Sequence, residues 1–329
     1  MAAEQFDSDS GKSPGATMTA EIDGAMAAAY GIGVTDLFAV FGGLASWPLD
    51  GSAGDVAAAT PPEVSQQVLD LTDLGADDDG AQKVEAALNL LTSTTDSLAD
   101  GEWQPWRTRQ RKRRLLAQPI PELSDGTVVI APHYLLTSLR VYQGYLSQGV
   151  LPWTHPQPPK ELDLALQRFR DAKNKALEDD VATLLEEYGW SVEKNIKETK
   201  ARRLNLEVLS TEIDVVAGKP GKNTLLLVEA KDPASVHALS QMRDQLDDFY
   251  LDRNSKPAYA TQLGRKRDDL TSHEAEVAAA LNLPASENGH VVRPLFVSRH
   301  PIPAGYVDGP FEVRTIAELR NMLEQDLID

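Results

Sequence analysis

The chain has 329 residues, no cysteine and a formal net charge of -18. That length allows about two domains with buried cores. The lack of cysteine excludes disulfides and thiolate metal sites, and the acidic total argues against indiscriminate nucleic-acid binding by the whole chain. The charge is uneven: residues 1–100 hold 17 Asp or Glu against only Lys12 and Lys83, a net -15, so the other 229 residues are close to balanced.

Residues 1–17, rich in Ser, Gly and Asp, read as a disordered tail. Residues 18–105 read as an acidic helical region: Ala25–Tyr30, Val34–Ala45, Val64–Leu74 and Ala81–Leu91 carry apolar residues at helical spacing between Gly, Pro and Asp breaks. A basic and aromatic connector follows over 106–158. It opens on Arg107, Arg109, Arg111, Lys112, Arg113 and Arg114, just after Trp103 and Trp106, and contains a strand at Thr127–Ile130 and a helix from His133 to Gln148. The basic run suits either a phosphate backbone or the acidic residues before it, and the second reading is favoured by their number and nearness.

Pro152 to Pro159 breaks regular structure and marks the expected domain boundary, with the second domain over 159–329. A long amphipathic helix runs from Glu161 towards Glu187, with Leu162, Leu166, Phe169, Leu177, Val181, Leu184 and Leu185 on its apolar side, and Gly189-Trp190 ends it. Strands are expected at Trp190–Ile196, Glu212–Val216, Leu225–Lys231 and Val291–Ser298, and a last helix at Thr315–Leu327. Gly218 to Thr224 joins two strands and lacks phosphate-loop spacing, so it reads as a hairpin turn. The six histidines form no HxH or HExxH pair.

Chemistry concentrates in that hairpin. Alternation along a strand puts Glu229 and Lys231 on one face and Ala230 on the other, and pairing of the two strands brings Asp214 beside Glu229. Two carboxylates within apolar strands repel each other and resist desolvation unless a cation joins them. A hard divalent ion such as Mg2+, which takes oxygen ligands and keeps several waters, suits that place. The competing reading is a surface hairpin with solvated charges. Glu212 shares the parity of Asp214 and is an auxiliary candidate, as are Gln241 and Gln245 on the following helix, Gln241–Tyr250. Arg202, Arg203, Lys219 and Lys222 are candidates for nucleic-acid contact. For these, as for Arg265, Lys266 and Arg267, solvated loop charge is the plainer reading.

Asp214 followed by Glu229-Ala230-Lys231, read as D…ExK, resembles the PD-(D/E)XK nuclease superfamily. The upstream segment Leu177 to Val181, running on to Gly189-Trp190, is similar to the helix that precedes the catalytic hairpin there, and Glu178 sits where that helix carries a further acid. The resemblance runs from about Leu162 to the C-terminus. It implies an α/β fold with a restriction-endonuclease-like core, a mixed central sheet flanked by helices, here preceded by a mainly helical N-terminal region. It implies a Mg2+-dependent endonuclease, with Mn2+ as a substitute, that hydrolyses phosphodiester bonds of DNA in restriction, phage defence or repair. Asp214, Glu229 and Glu178 would hold metal, with the Ala230 carbonyl as a further ligand, and Lys231 would position or help deprotonate water and offset charge on the phosphate. DNA is the expected partner, with a partner protein or a second copy as others. The alternative is a catalytically silent nuclease-fold protein that binds nucleic acid or protein. The N-terminus lacks a signal pattern and no apolar run reaches the length of a membrane span, so a cytoplasmic location is the default expectation.

Overall fold

The computed structural model describes residues 14–48, 56–75, 78–94, 115–153, 157–234, 236, 239–253 and 256–328. The chain divides into two compact units, Met1–Arg170 and Asp171–Asp329. The basic run Arg107 to Arg114, together with Trp103 and Trp106, lies outside the described residues, as does the start of the expected tail.

The first unit is mainly helical: α1 (Pro14–Tyr30), α2 (Val34–Ala45), α3 (Pro61–Leu71), α4 (Asp78–Leu91) and α5 (Pro132–Leu146). Helix α1 begins at Pro14, so residues 14–17 belong to a helix rather than to a tail. Two small strand pairs join it. Strand β1 (Ala57–Ala59) runs antiparallel to β4 (Val128–Ile130), and β2 (Thr92–Ser93) parallel to β3 (Ile120–Pro121). Phe41 of α2 meets Tyr142 of α5 edge-on with ring centroids 4.9 Å apart, inside the core that also holds Val64, Leu91 and Ile130. The connector expected over 106–158 is therefore no separate piece: its strand and helix bury their apolar sides in the same core as the acidic helices.

Helix α6 (Lys160–Glu187) spans the division between the units. Leu162, Ala165 and Leu166 belong to the first unit's core, whereas Leu177, Val181, Leu184 and Leu185 belong to a core of the second. The division thus falls inside the helix, not at the proline-rich stretch before it. Prolines mark where helices cannot run, but compact units are delimited by where apolar side chains are buried. Gly189, at φ +79°, ends the helix in a conformation that L side chains rarely adopt, and Trp190 donates its N–H back to the Leu185 carbonyl at 3.1 Å.

The second unit is a mixed α/β structure built on a five-stranded sheet in the order β5-β6-β7-β8-β9. These are β5 (Ser191–Ile196), β6 (Ile213–Gly218), β7 (Thr224–Ala230), β8 (Val291–Ser298) and β9 (Glu312–Thr315). Strands β5, β6 and β7 form an antiparallel meander, while β8 and β9 add in parallel. The crossover from β7 to β8 carries α7 (Leu239–Tyr250), α8 (Tyr259–Ser272) and α9 (Glu274–Ala280), and α10 (Ile316–Glu324) follows β9. Short 3-10 segments cover Glu198–Leu204 and Pro303–Tyr306.

Both faces of the sheet are covered, which is why β6 and β7 are continuous apolar runs. Val216, Leu225, Leu227 and Phe296 pack with Phe249, Leu263 and Val277 of α7, α8 and α9. Val215, Ala217, Leu226, Val228 and Leu295 pack with Leu177, Val181 and Leu185 of α6 and Leu319 of α10. Burying each such Leu, Ile, Val or Phe side chain contributes roughly 1.5–3 kcal/mol. Among the described residues no single helix is long and apolar enough to cross a membrane.

Candidate functional site

The register Val215↔Val228 extends by one step to bring Asp214 opposite Glu229 at the open end of the β6–β7 hairpin. Asp214 has the parity of Val216, and Glu229 that of Leu227, so both side chains rise from the sheet face covered by α7, α8 and α9. The backbone N–H of Ala230 donates to Asp214 Oδ2 at 2.9 Å and ties the two strands at this point. Lys231 Nζ stands 2.8 Å from Glu229 Oε1 and 3.9 Å from Asp214 Oδ2. It also lies 5.2 Å from the ring centroid of Tyr259, the first residue of α8.

A second ammonium completes the cluster. Lys266 of α8 is only 4 % exposed; it donates to Glu229 Oε2 and stands 3.9 Å from Asp214 Oδ1. The solvated-loop reading of Lys266 is therefore overturned. The residue is helical and buried because it occupies the same stripe as Leu263 and Leu270, at spacings of three and four. That spacing was the available signal: a lysine inside an apolar helical stripe needs a buried partner. Tyr259 was missed for the same reason, since its helix was not recognised. Each Glu229 oxygen thus meets one ammonium, and two lysines balance two carboxylates.

The electrostatics of the acids differ. Burial pushes the Asp214 carboxyl up, and the neighbouring Glu229 charge adds to this, against the pull of Lys231 and Lys266, so that it stands at about 6. Burial acts in the same sense on Glu229, but the two ammoniums outweigh it and hold that carboxyl below its usual range. Burial alone would lower Lys231, yet Glu229 and Asp214 outweigh it and keep the ammonium protonated well beyond the ordinary lysine range. A lysine so held does not take a proton from water at neutral pH.

Glu178, half-buried on α6, is pushed up to about 7, first by burial and then by the negative charges of Asp214 and Glu212. Glu212 precedes β6 rather than lying within it, and is half-buried. The acids Glu178, Glu212 and Asp214 therefore share one field, and their surplus negative charge is felt at Glu178. One consequence is a measurable cost. An acid whose folded pKa lies above its unfolded value loses stability as pH rises from about 4.5 to 7, and the loss is complete above 7. With a discount for its exposure, Glu178→Gln is expected to stabilise the second unit by about 1 kcal/mol at pH 8 and by almost nothing at pH 4. Urea unfolding at both pH values checks this; equal effects at the two would show that charge is not the cause.

Other candidates lie elsewhere. Gln245 donates to the Ala234 carbonyl at 3.2 Å and so braces the loop after β7, while its Oε1 is buried without a hydrogen-bond partner among the described residues. Gln241 is half-buried on the first turn of α7. Arg202 is exposed, and Arg203 bonds Glu193 and the Lys194 carbonyl. Lys219 and Lys222 sit at the turn between β6 and β7, the opposite end of these strands from Asp214 and Glu229. At about 3.4 Å per residue the separation is roughly 17 Å or more, so the hairpin turn does not deliver its lysines to the carboxylates; Lys222 instead pairs with Asp326 at 3.1 Å.

The donor chemistry fits a hard cation in part. Two carboxylates lie side by side, a set that suits Mg2+ because that ion completes its shell with water and substrate oxygens. Against this, among the described residues no three Asp, Glu or His side chains gather as a ready ligand set, and coordination through Glu229 requires one ammonium to give up its contact. No family model, curated protein or solved structure matches this chain, so the reading of the site rests on its own geometry.

Proposed function

We propose that the chain is a Mg2+-dependent endonuclease with a restriction-endonuclease-like second unit, which hydrolyses phosphodiester bonds of DNA. The observation that carries this reading is the convergence of Asp214, Glu229 and Lys231 at one end of the β6–β7 hairpin, with Glu178 acting on them from α6. The mixed sheet, an antiparallel meander extended by two parallel strands and covered on both faces, is in keeping with that class of fold.

In this reading Asp214 and Glu229 hold the cation, with Mn2+ as a substitute, and Glu178 reaches it directly or through water. When bound, such a cation supplies polarisation of phosphate oxygens and lowers the pKa of water. The protein's own groups do the rest. Lys231 is a fixed positive charge, so its part is to orient the scissile phosphate and balance charge that develops on it. Glu178, pushed up to about 7 before a cation binds and lowered once a cation lies beside it, would accept a proton from attacking water where it is not itself a ligand. Tyr259 and Lys266 hold Lys231 and Glu229 in place from α8.

One observation favours a second reading, a nuclease-fold module that binds nucleic acid without cutting it. Lys231 and Lys266 already satisfy Glu229, and these two ammoniums balance the charges of Asp214 and Glu229 without metal. Cleavage of supercoiled plasmid in Mg2+, Mn2+ or EDTA separates the two. Metal-dependent nicking lost in Asp214→Asn supports the enzyme. Intact plasmid under every condition, with no Mg2+ binding by calorimetry, supports the silent module.

A further inference from the structure

A cleft of about 570 Å³ in the second unit is lined by Lys175, Lys194, Lys197, Lys200 and Arg203, together with Asn195 and Asp179. Five cations around one opening are unexpected in a chain of net charge -18. They come from three elements: Lys175 from α6, Lys194 from β5, and Lys200 and Arg203 from the 3-10 segment that follows Lys197. Lys194 bonds Asp179, and Arg203 bonds Glu193. Lys175, Lys197 and Lys200 are exposed and have no ion-pair partner among the described residues.

Lysines on an edge strand have a plainer use, because they discourage another chain from pairing with it. Strand β5 is such an edge, and Lys194 alone would serve that purpose. Lysines on a helix and a 3-10 segment that open onto the same cleft do not. Two elements that line the cleft also carry or neighbour the carboxylates. Lys175 and Asp179 flank Glu178 on α6 at i-3 and i+1. On β5 the register places Asn195 opposite Asp214, between the pairs Lys194↔Val215 and Ile196↔Ile213. Asn195 adopts φ +53°, a left-handed conformation inside a strand. Asn tolerates this better than most residues, and it turns the chain there before the lysines that follow. Neighbouring strands are about 4.8 Å apart, so the backbone of Asn195, which lines the cleft, lies about one strand's spacing from that of Asp214.

We propose that this cleft is the track for the phosphate backbone of a nucleic-acid strand, feeding it past Glu178 to Asp214 and Glu229. The proposal deepens the nuclease reading and rests on it for the direction of travel, but binding itself needs no cleavage. The ligand class is a polyphosphodiester rather than a single anion, because the cations line an open cleft instead of enclosing one point.

The test is fluorescence anisotropy of labelled single-stranded and duplex DNA oligonucleotides with the full chain in EDTA, over a range of salt concentrations. The variant is Lys197→Ala/Lys200→Ala. Both side chains are exposed, so folding should be preserved, and circular dichroism verifies it. Wild type is expected to bind with a steep salt dependence. The variant is expected to bind about tenfold or more weakly near 0.15 M salt, with the slope of log K against log salt reduced by roughly 1.4–1.8, since each neutralised phosphate contributes about 0.7–0.9. Unchanged affinity in the variant overturns the track, as does a loss confined to Lys219→Ala, which would put the strand at the hairpin turn. Failure of wild type to bind either oligonucleotide also overturns it. The plasmid assay is read independently, so a chain that binds through the cleft but does not cut would retain this proposal and lose the nuclease reading.

Discussion

Lys266→Ala is expected to destabilise the second unit by about 3–5 kcal/mol at pH 7.5, the range seen when one partner of a buried ion pair is removed. Lys266 is nearly inaccessible and bridges Glu229 and Asp214, so its loss leaves two adjacent buried carboxylates facing Lys231 alone. The pH dependence identifies the cause. Glu229 is held below its ordinary range by the two ammoniums, so its pairing contributes stability above about pH 4.5 that is lost as pH falls through the lower, folded value. The difference between wild type and variant should therefore be largest near neutrality and shrink towards pH 4, where the carboxylates of the variant take up protons instead. Urea unfolding at pH 7.5 and pH 4 reads this directly. Lys266→Met, which keeps most of the volume and none of the charge, should behave like the alanine variant, and adding Glu229→Gln to Lys266→Ala should recover much of the loss. An equal loss at both pH values would mean that Lys266 acts by packing. The same variant probes the metal without reference to activity. Mg2+ that binds Asp214 and Glu229 should raise the stability of Lys266→Ala in a concentration-dependent way, and more than it raises that of wild type, where an ammonium competes.

Lys231→Ala and Asp214→Asn are expected to have the largest effects on cleavage. Removal of one fixed positive group that meets developing charge costs about 10²–10³ in rate, so Lys231→Ala should fall by at least that factor although Mg2+ affinity is retained or raised, since an ammonium that competes for Glu229 is gone. Asp214→Asn keeps the shape of the side chain and removes its charge; it should lose both Mg2+ affinity and rate. Lys231→Arg should rescue poorly, because a planar guanidinium does not reproduce a compact ammonium wedged between Glu229 and Tyr259. The pH profile separates Lys231 from the base. Lys231 stays protonated throughout the neutral range, so it contributes no inflection there. If Glu178 accepts the proton, the rate should rise with pH through an inflection below the metal-free value of about 7, because the cation lowers it, and should flatten in Glu178→Gln. Single-turnover rates between pH 5.5 and 8.5 check this; an inflection that survives in Glu178→Gln would assign the base elsewhere.

Some of this site is written locally. Asp214, Glu229 and Lys231 lie within one hairpin, and strand alternation plus a turn of five residues from Lys219 to Asn223 suffices to bring them together. The long helix that ends at Gly189-Trp190, and the apolar strands covered on both faces, follow from periodicity and from a residue type that tolerates a positive φ. These are short-range properties, and a sequence displays them without reference to anything distant.

Where parts of the chain meet across long separations, only the tertiary structure decides. Lys266 is 37 residues from Glu229, in a helix whose basic run resembles loop charge until its apolar stripe is seen packed on the sheet. Lys219 and Lys222, by contrast, are near the carboxylates in sequence but at the other end of an extended hairpin, because a strand converts a few residues into many ångströms. Helix α6 belongs to both units' cores although a proline-rich stretch precedes it. The basic cleft gathers cations from a helix, a strand and a 3-10 segment that share no motif. Local conformational preference determined the hairpin and its D…ExK residues; long-range burial, which forces every buried charge to find a partner, determined what surrounds them.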